Sequence, residues 1–148
     1  VVAISSGASV SGARGWNAYG LSKATLNMLI KLYAAELPEV HLTALAPGLI
    51  KSDMQDYISS LQLDERYPKM KTIQEAWGTD KMPTPEALAP RLLKVLPWIK
   101  NQYPSGEYLD LRKISIGNHN PNSNHHPSPD RKDSSGALPA TQRFGSKP

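Results

Sequence analysis

Ser6, Tyr19 and Lys23 are the residues of this 148-residue chain whose types and spacing best suit chemistry. Tyr19 and Lys23 stand four apart in a helical pattern, so their side chains share a face, with Lys23 one turn beyond Tyr19. A free phenol, with a pKa of about 10, is a poor acid or base at neutral pH. An ammonium beside it favours the phenolate and readies the ring oxygen for proton transfer. Ser6 follows an apolar run and so falls at a strand end, which is where open α/β sheets bind ligands. Its hydroxyl can hold a carbonyl or alcohol oxygen beside the phenol. Each feature also has a plainer reading. Tyr and Lys at this spacing are common near helix starts, and Ser5 and Ser6 can end a strand through local backbone hydrogen bonds.

The elements that must position these groups follow from the pattern around them. Residues 1–4 are continuously apolar and β-branched, which predicts a strand covered on both faces of a parallel sheet. Residues 7–15 are small and turn-forming, a loop at that strand's carboxyl end. A helix is predicted over 16–37, with Leu26, Leu29, Ile30, Tyr33 and Leu37 forming one broad apolar face and Pro38 stopping it. A second strand is predicted over 40–46, turned at once by Pro47-Gly48. Helices are expected over 52–61, with Ser52 as N-cap, over 71–77, and from Pro85 to about residue 99. A last short strand is expected over 108–111. Helical crossovers between apolar strands give an α/β fold with a parallel sheet and helices on its faces. Three strands leave two open edges, which predicts further strands upstream of Val1.

The composition narrows the chemistry. There is no cysteine, which excludes disulfides, thiolate metal sites and cysteine nucleophiles. Lys plus Arg is 17 against 13 Asp plus Glu, a net charge of +4 spread along the chain. That spread, with 7% aromatic residues and a single Phe, argues against a nucleic-acid partner. No apolar run approaches the roughly 20 residues needed to span a bilayer, so no membrane partner is expected, and the protein is expected to be cytoplasmic. Residues 117–148 hold 17 Pro, Gly, Ser or Asn among 32, and cannot repay their ordering entropy by burial. They read as a disordered tail, which divides the chain into a 1–116 body and a 117–148 tail. His119, His125 and His126 fall in that tail and do not read as a metal site, so no metal is expected. Gly7, Gly12 and Gly15 lack the residues that would make a phosphate loop. The basic residues of 91–100 surround Leu92, Leu93, Val95 and Leu96, as in an amphipathic helix docked on the sheet.

Four pieces of the body occur in a familiar order: V-V-A-I-S-S-G, Y-G-L-S-K, A-P-G-L-I-K-S-D-M and S-G-E-Y-L-D-L-R, with thirteen positions from Ser6 to Tyr19. In these, residues 1–111 resemble the carboxyl-terminal half of the short-chain dehydrogenase/reductase family, and its sepiapterin and benzil reductases in particular. The resemblance implies the last three strands of a Rossmann-type sheet and a nicotinamide cofactor, NADP ahead of NAD. It implies a small-molecule carbonyl or alcohol substrate and a parent protein that is a homodimer or homotetramer. It makes Tyr19 the proton donor or acceptor, Lys23 the residue that favours its phenolate and holds the nicotinamide ribose, and Ser6 the residue that orients the substrate oxygen. Pro47, Gly48 and Ile50 would lie beside the nicotinamide, and Ser52 stands where the family usually has Thr. Residues 52–78 match the mobile segment that covers substrate, with Met54, Tyr57 and Trp77 as candidate substrate-facing groups. The family's Gly-rich cofactor loop and catalytic asparagine would lie upstream. A chain without them is therefore expected to be an incomplete catalytic half, or else a non-catalytic fragment that binds a partner.

Overall fold

The computed structural model of the protein describes residues 1–116. The expected tail and its three histidines lie outside the described residues. The body consists of β1 (Val2–Ile4), α1 (Asn17–Glu36), β2 (Thr43–Ala46), α2 (Asp53–Ser60), α3 (Pro68–Ala76), α4 (Pro85–Gln102) and β3 (Tyr108–Asp110), with single 3₁₀ turns at Gly7–Ser9 and Leu111–Lys113. The strands form one parallel sheet in the order β1-β2-β3, with Ile4 opposite Leu45, and Leu45 opposite Leu109. Strand, helix and strand alternate as the sequence predicts, and the carboxyl ends of all three strands open on the same side.

β2 is buried along its whole length and alternates between two cores, because successive strand residues point to opposite faces. Ala44 joins Leu42 and Ile30 of α1, with Ala3, Ala34 and Tyr108 packed against them. Leu45 joins Leu109, Leu111 and the α4 residues Leu88, Val95 and Ile99. One helix therefore covers each face. A third cluster, of Ile58, Ile73, Ala76 and Met82, holds α2 and α3 together, and Trp16 packs against it.

Two expectations about burial are corrected. β1 is not covered on both faces: Val2 and Ile4 are 40% and 53% exposed, because the α4 cluster gathers on Leu45 and Leu109 and stops short of them. On α1, Leu29, Tyr33 and Leu37 face outward, while Ile30 is buried and Lys23, Leu26, Asn27 and Ala34 lie half-buried. Apolar residues surround most of this helix, so periodicity alone could not choose the buried stripe. Small Ala3, Ala34 and Ala44 choose it by letting helix and sheet approach closely.

The boundaries moved for local reasons. α3 begins at Pro68, ahead of the expected start at 71, because proline suits the first helical turn, where its missing N–H is not needed. α4 begins as expected, capped by the Thr84 hydroxyl, which accepts from Ala87 N at 3.3 Å. β2 starts three residues later than expected. Val40 and Leu42 are instead tied to the Ser105 hydroxyl, which accepts from Leu42 N at 3.0 Å and donates to Val40 O at 3.2 Å.

Candidate active site

The strand ends and the connections that follow them enclose a cleft of about 620 Å³. Its walls include Ser6, Tyr19 and Lys23 from the first strand–loop–helix unit, and Pro47, Gly48, Ile50 and Ser52 from the turn after β2. All seven residues singled out in the sequence thus border one cavity, although they come from separate segments. What unites them is the parallel register, which sets the ends of β1 and β2 side by side.

Ser6 lies in extended backbone at the end of β1, and its Oγ accepts from Ala8 N at 3.2 Å, which opens the 3₁₀ turn at Gly7–Ser9. That bond occupies a lone pair and leaves the hydroxyl proton available. Tyr19, in the first turn of α1, is half-buried, its ring packed on Trp16 with centroids 5.2 Å apart. The Lys23 Nζ sits 5.9 Å from the centre of the Tyr19 ring and donates to Ile4 O at 2.9 Å. The ammonium is thereby held between the phenol and the strand that carries Ser6.

After β2 the chain turns at Gly48, whose φ of +96° is a conformation L side chains rarely adopt. A Cβ there would also meet Arg112 Cδ at 3.2 Å. Ser52 takes the N-cap position of α2, but its side chain makes no capping bond; its carbonyl accepts from Gln55 N and Asp56 N at 2.8 and 2.9 Å. Of the three further candidates, Met54 borders the cleft and Tyr57 and Trp77 do not. Trp77 is spent elsewhere, donating from Nε1 to Asp56 Oδ1 at 2.8 Å.

Sequence reasoning missed the groups that β3 and α3 bring in. Lys69, Thr72 and Ile73 of α3 border the cleft, as do Tyr108, Asp110 and Arg112 at the end of β3. Asp110, with a side chain only 7% exposed, accepts from Arg112 Nε at 2.9 Å, Nη2 at 2.6 Å and the backbone N at 3.0 Å. The Asp-x-Arg spacing was the one sequence signal that could have found this pair. Hydrogen bonding from the guanidinium holds the Asp110 carboxyl below the usual carboxylate range, against the opposing effect of burial. Burial pushes the Tyr108 phenol up.

The Asp110 shift has a consequence for stability. A carboxyl whose folded pKa lies below its unfolded value, about 3.9, stabilises fully above that value, and the contribution is lost as pH falls through the folded one. Acid unfolding followed by far-UV circular dichroism is therefore expected to steepen below about pH 4. Asp110→Asn should flatten that part of the curve; an unchanged acid limb would refute the pair's role. Among the described residues no three His, Asp or Glu side chains gather closely enough to hold a metal ion, and no helix is long and apolar enough to cross a membrane.

A parallel sheet with a helix on each face and a ligand-sized cleft at the strand ends defines part of a Rossmann-type α/β protein. Residues 1–62 match the family model described as short chain dehydrogenase. The chain is 35% identical over 125 residues to the benzil reductase ((S)-benzoin forming) of Saccharomyces cerevisiae, covering 79% of this chain and 46% of that protein. It is 31% identical over 112 residues to the sepiapterin reductase of Bos taurus, covering 75% and 40%. Among solved structures it resembles the KRED1-Pglu enzyme, with 25% identity, a TM-score of 0.59 and coverage of 73% of this chain and 45% of that one. A short chain dehydrogenase/reductase from Saccharomyces cerevisiae is similar at 27% identity and a TM-score of 0.58, covering 75% and 45%. The chain belongs to the short-chain dehydrogenase/reductase family. It spans about half the length of the relatives it matches.

Proposed function

We propose that this chain supplies the catalytic and substrate-binding half of an oxidoreductase that moves hydride between a nicotinamide cofactor and a carbonyl/alcohol pair. The observation that carries the reading is the shared cleft: a hydroxyl, a phenol and an ammonium from Ser6, Tyr19 and Lys23 border one cavity at the strand ends. The residues present also fit the cofactor's nicotinamide end. Gln55 is buried at the cleft with an Oε1 that finds no partner among the described residues, and it stands beside Ser52, whose hydroxyl makes no capping bond. The orphaned amide oxygen of Gln55 suits the N–H of a carboxamide, and the exposed Ser52 hydroxyl is open to a further bond.

When bound, the nicotinamide supplies or accepts the hydride. In the reductive direction Ser6 donates its free hydroxyl proton as a hydrogen bond to the substrate oxygen and holds it beside the phenol. Tyr19 gives its proton to that oxygen as negative charge develops there, completing the alcohol. Lys23 stabilises the phenolate left behind and would hold the ribose hydroxyls of a bound cofactor, while Pro47, Gly48, Ile50 and Ser52 would line its nicotinamide side. α2 and α3, which close the cleft through Met54, Gln55, Lys69 and Ile73, serve as the cover that excludes water. The substrate class follows the relatives' names, a small carbonyl compound such as an activated diketone. NADP(H) is proposed ahead of NAD(H) on the same resemblance. The parent protein is proposed to be a cytoplasmic homodimer or homotetramer.

A second reading, a partner-binding α/β remnant without turnover, is favoured by the exposed edge residues Val2 and Ile4 and by the outward apolar residues of α1. One experiment separates the two. The chain by itself, and the same residues joined to an upstream Rossmann half, are titrated with NADPH and NADH and then given benzil while absorbance of the reduced cofactor is followed. Saturable binding and cofactor consumption by the joined protein are expected. Consumption by the isolated chain as well would assign activity to this half alone, and none in either form would leave the partner-binding reading.

A further inference from the structure

Tyr19, Lys23 and Asn27 follow one another at four-residue steps along α1, on the stripe that faces β1 and its loop. Asn27 is not among the residues the family resemblance singles out. Next to Ile30 and Ala34, which pack on the sheet, an amide on this stripe is a poor choice unless its polar atoms are matched. They are matched on both sides. Its Oδ1 accepts from Ser5 Oγ at 2.5 Å, and its Nδ2 donates to Ser9 Oγ at 2.8 Å. Ser9 Oγ in turn donates to the carbonyl of Ser6 at 2.6 Å, which also receives Ser9 N at 3.0 Å. The direction of the chain is fixed: with the amide reversed, Ser9 would have to give its only proton to Asn27 and could not bond Ser6. Hydrogen bonds aligned in one direction reinforce each other.

We propose that Asn27 is a positioning residue for Ser6. By gripping Ser5 on one side and Ser9 on the other, it fixes the 3₁₀ turn at Gly7–Ser9, whose Ala8 N–H occupies a lone pair of the Ser6 hydroxyl. The hydroxyl proton then points to the cleft, ready for a substrate oxygen. Lys23, through Ile4 O, anchors the preceding residue, so one helix holds positions 4, 5 and 9 around the serine. This assignment rests on the oxidoreductase reading for its catalytic meaning, while the grip itself is a matter of structure.

The test joins two readouts on the full chain. Backbone amide exchange by NMR reads the grip: in Asn27→Leu, which keeps comparable volume without hydrogen bonds, exchange at Ala8 and Ser9 should accelerate about tenfold while amides around Ile30 stay protected. Unchanged exchange at Ala8 and Ser9 would overturn the proposal. Ser9→Ala, which leaves every side chain of α1 in place, should give the same local acceleration and covers the case in which Asn27→Leu does not fold. Turnover in the protein joined to its cofactor half reads the consequence. Asn27→Leu should lower kcat about tenfold with KM little changed, and should cause no further loss when Ser6 is already alanine. An equal loss in the Ser6→Ala background would mean general damage and sink the positioning role. Local acceleration of exchange in a joined protein that reduces no carbonyl would keep the grip and discard the oxidoreductase reading instead.

Discussion

On the proposed function, Tyr19→Phe in the chain joined to an upstream Rossmann half is expected to lower carbonyl reduction by about two to four orders of magnitude, the range a positioned acid or base contributes. The substitution removes one hydroxyl and little else. The ring keeps its contact with Trp16 and its place below the Lys23 ammonium, and neither interaction involves the phenolic oxygen. Cofactor affinity and melting temperature should therefore move far less than kcat. That separation is the informative result. A protein that keeps its turnover with phenylalanine at 19 would remove the proton-transfer role, and one that loses stability together with activity would leave the role undecided between chemistry and packing. Lys23→Met then resolves the neighbour: it should also depress kcat, and in addition loosen β1, because the bond to Ile4 O is lost.

The second large effect is structural. Leu45→Ala is expected to cost about 3–5 kcal/mol, the upper part of the range for deleting a fully buried leucine. Leu45 has no exposed surface, sits at the middle of the central strand, and touches the cluster formed by α4, Leu109 and Leu111, so few neighbours can collapse into the space. Against a total stability of about 5–15 kcal/mol, this is enough to unfold a marginal domain. Denaturant midpoints measure it. Leu93→Ala, on the exposed side of α4 at 71% exposure, is the control and should stay within about 0.5 kcal/mol. Equal losses at the two positions would mean that the two-core description of β2 is wrong.

The alternation of strands and helices was legible because each boundary carries its own signal: Pro38 after α1, Gly48 after β2, and Thr84-Pro85 before α4. The clustering of Ser6, Tyr19, Lys23 and the Pro47-Gly48 turn at one cleft was legible through the four quoted motifs. Harder to read was anything decided by a distant partner. The buried side of α1 depends on three alanines, two of them on other elements. The late start of β2 depends on Ser105, which follows α4. Lys69 and Thr72 reach the cleft only because α3 folds back over α2, and Arg112 reaches Gly48 only because β3 pairs with β2. For Trp77 and Tyr57 the sequence leaves ligand contact and ordinary packing equally open. A large aromatic in a covering segment suits either, and here one is bonded to Asp56 and the other is exposed.

The strand that carries Ser6 is the least buttressed of the three, with Val2 and Ile4 open to solvent, whereas its neighbour β2 is wholly enclosed. Occupancy and rigidity are consequently linked at the sheet's rim. A molecule bridging the serine hydroxyl to the Gly48 turn staples a loosely supported strand to a firmly supported one, and its binding free energy appears as resistance of that rim to heat and proteases.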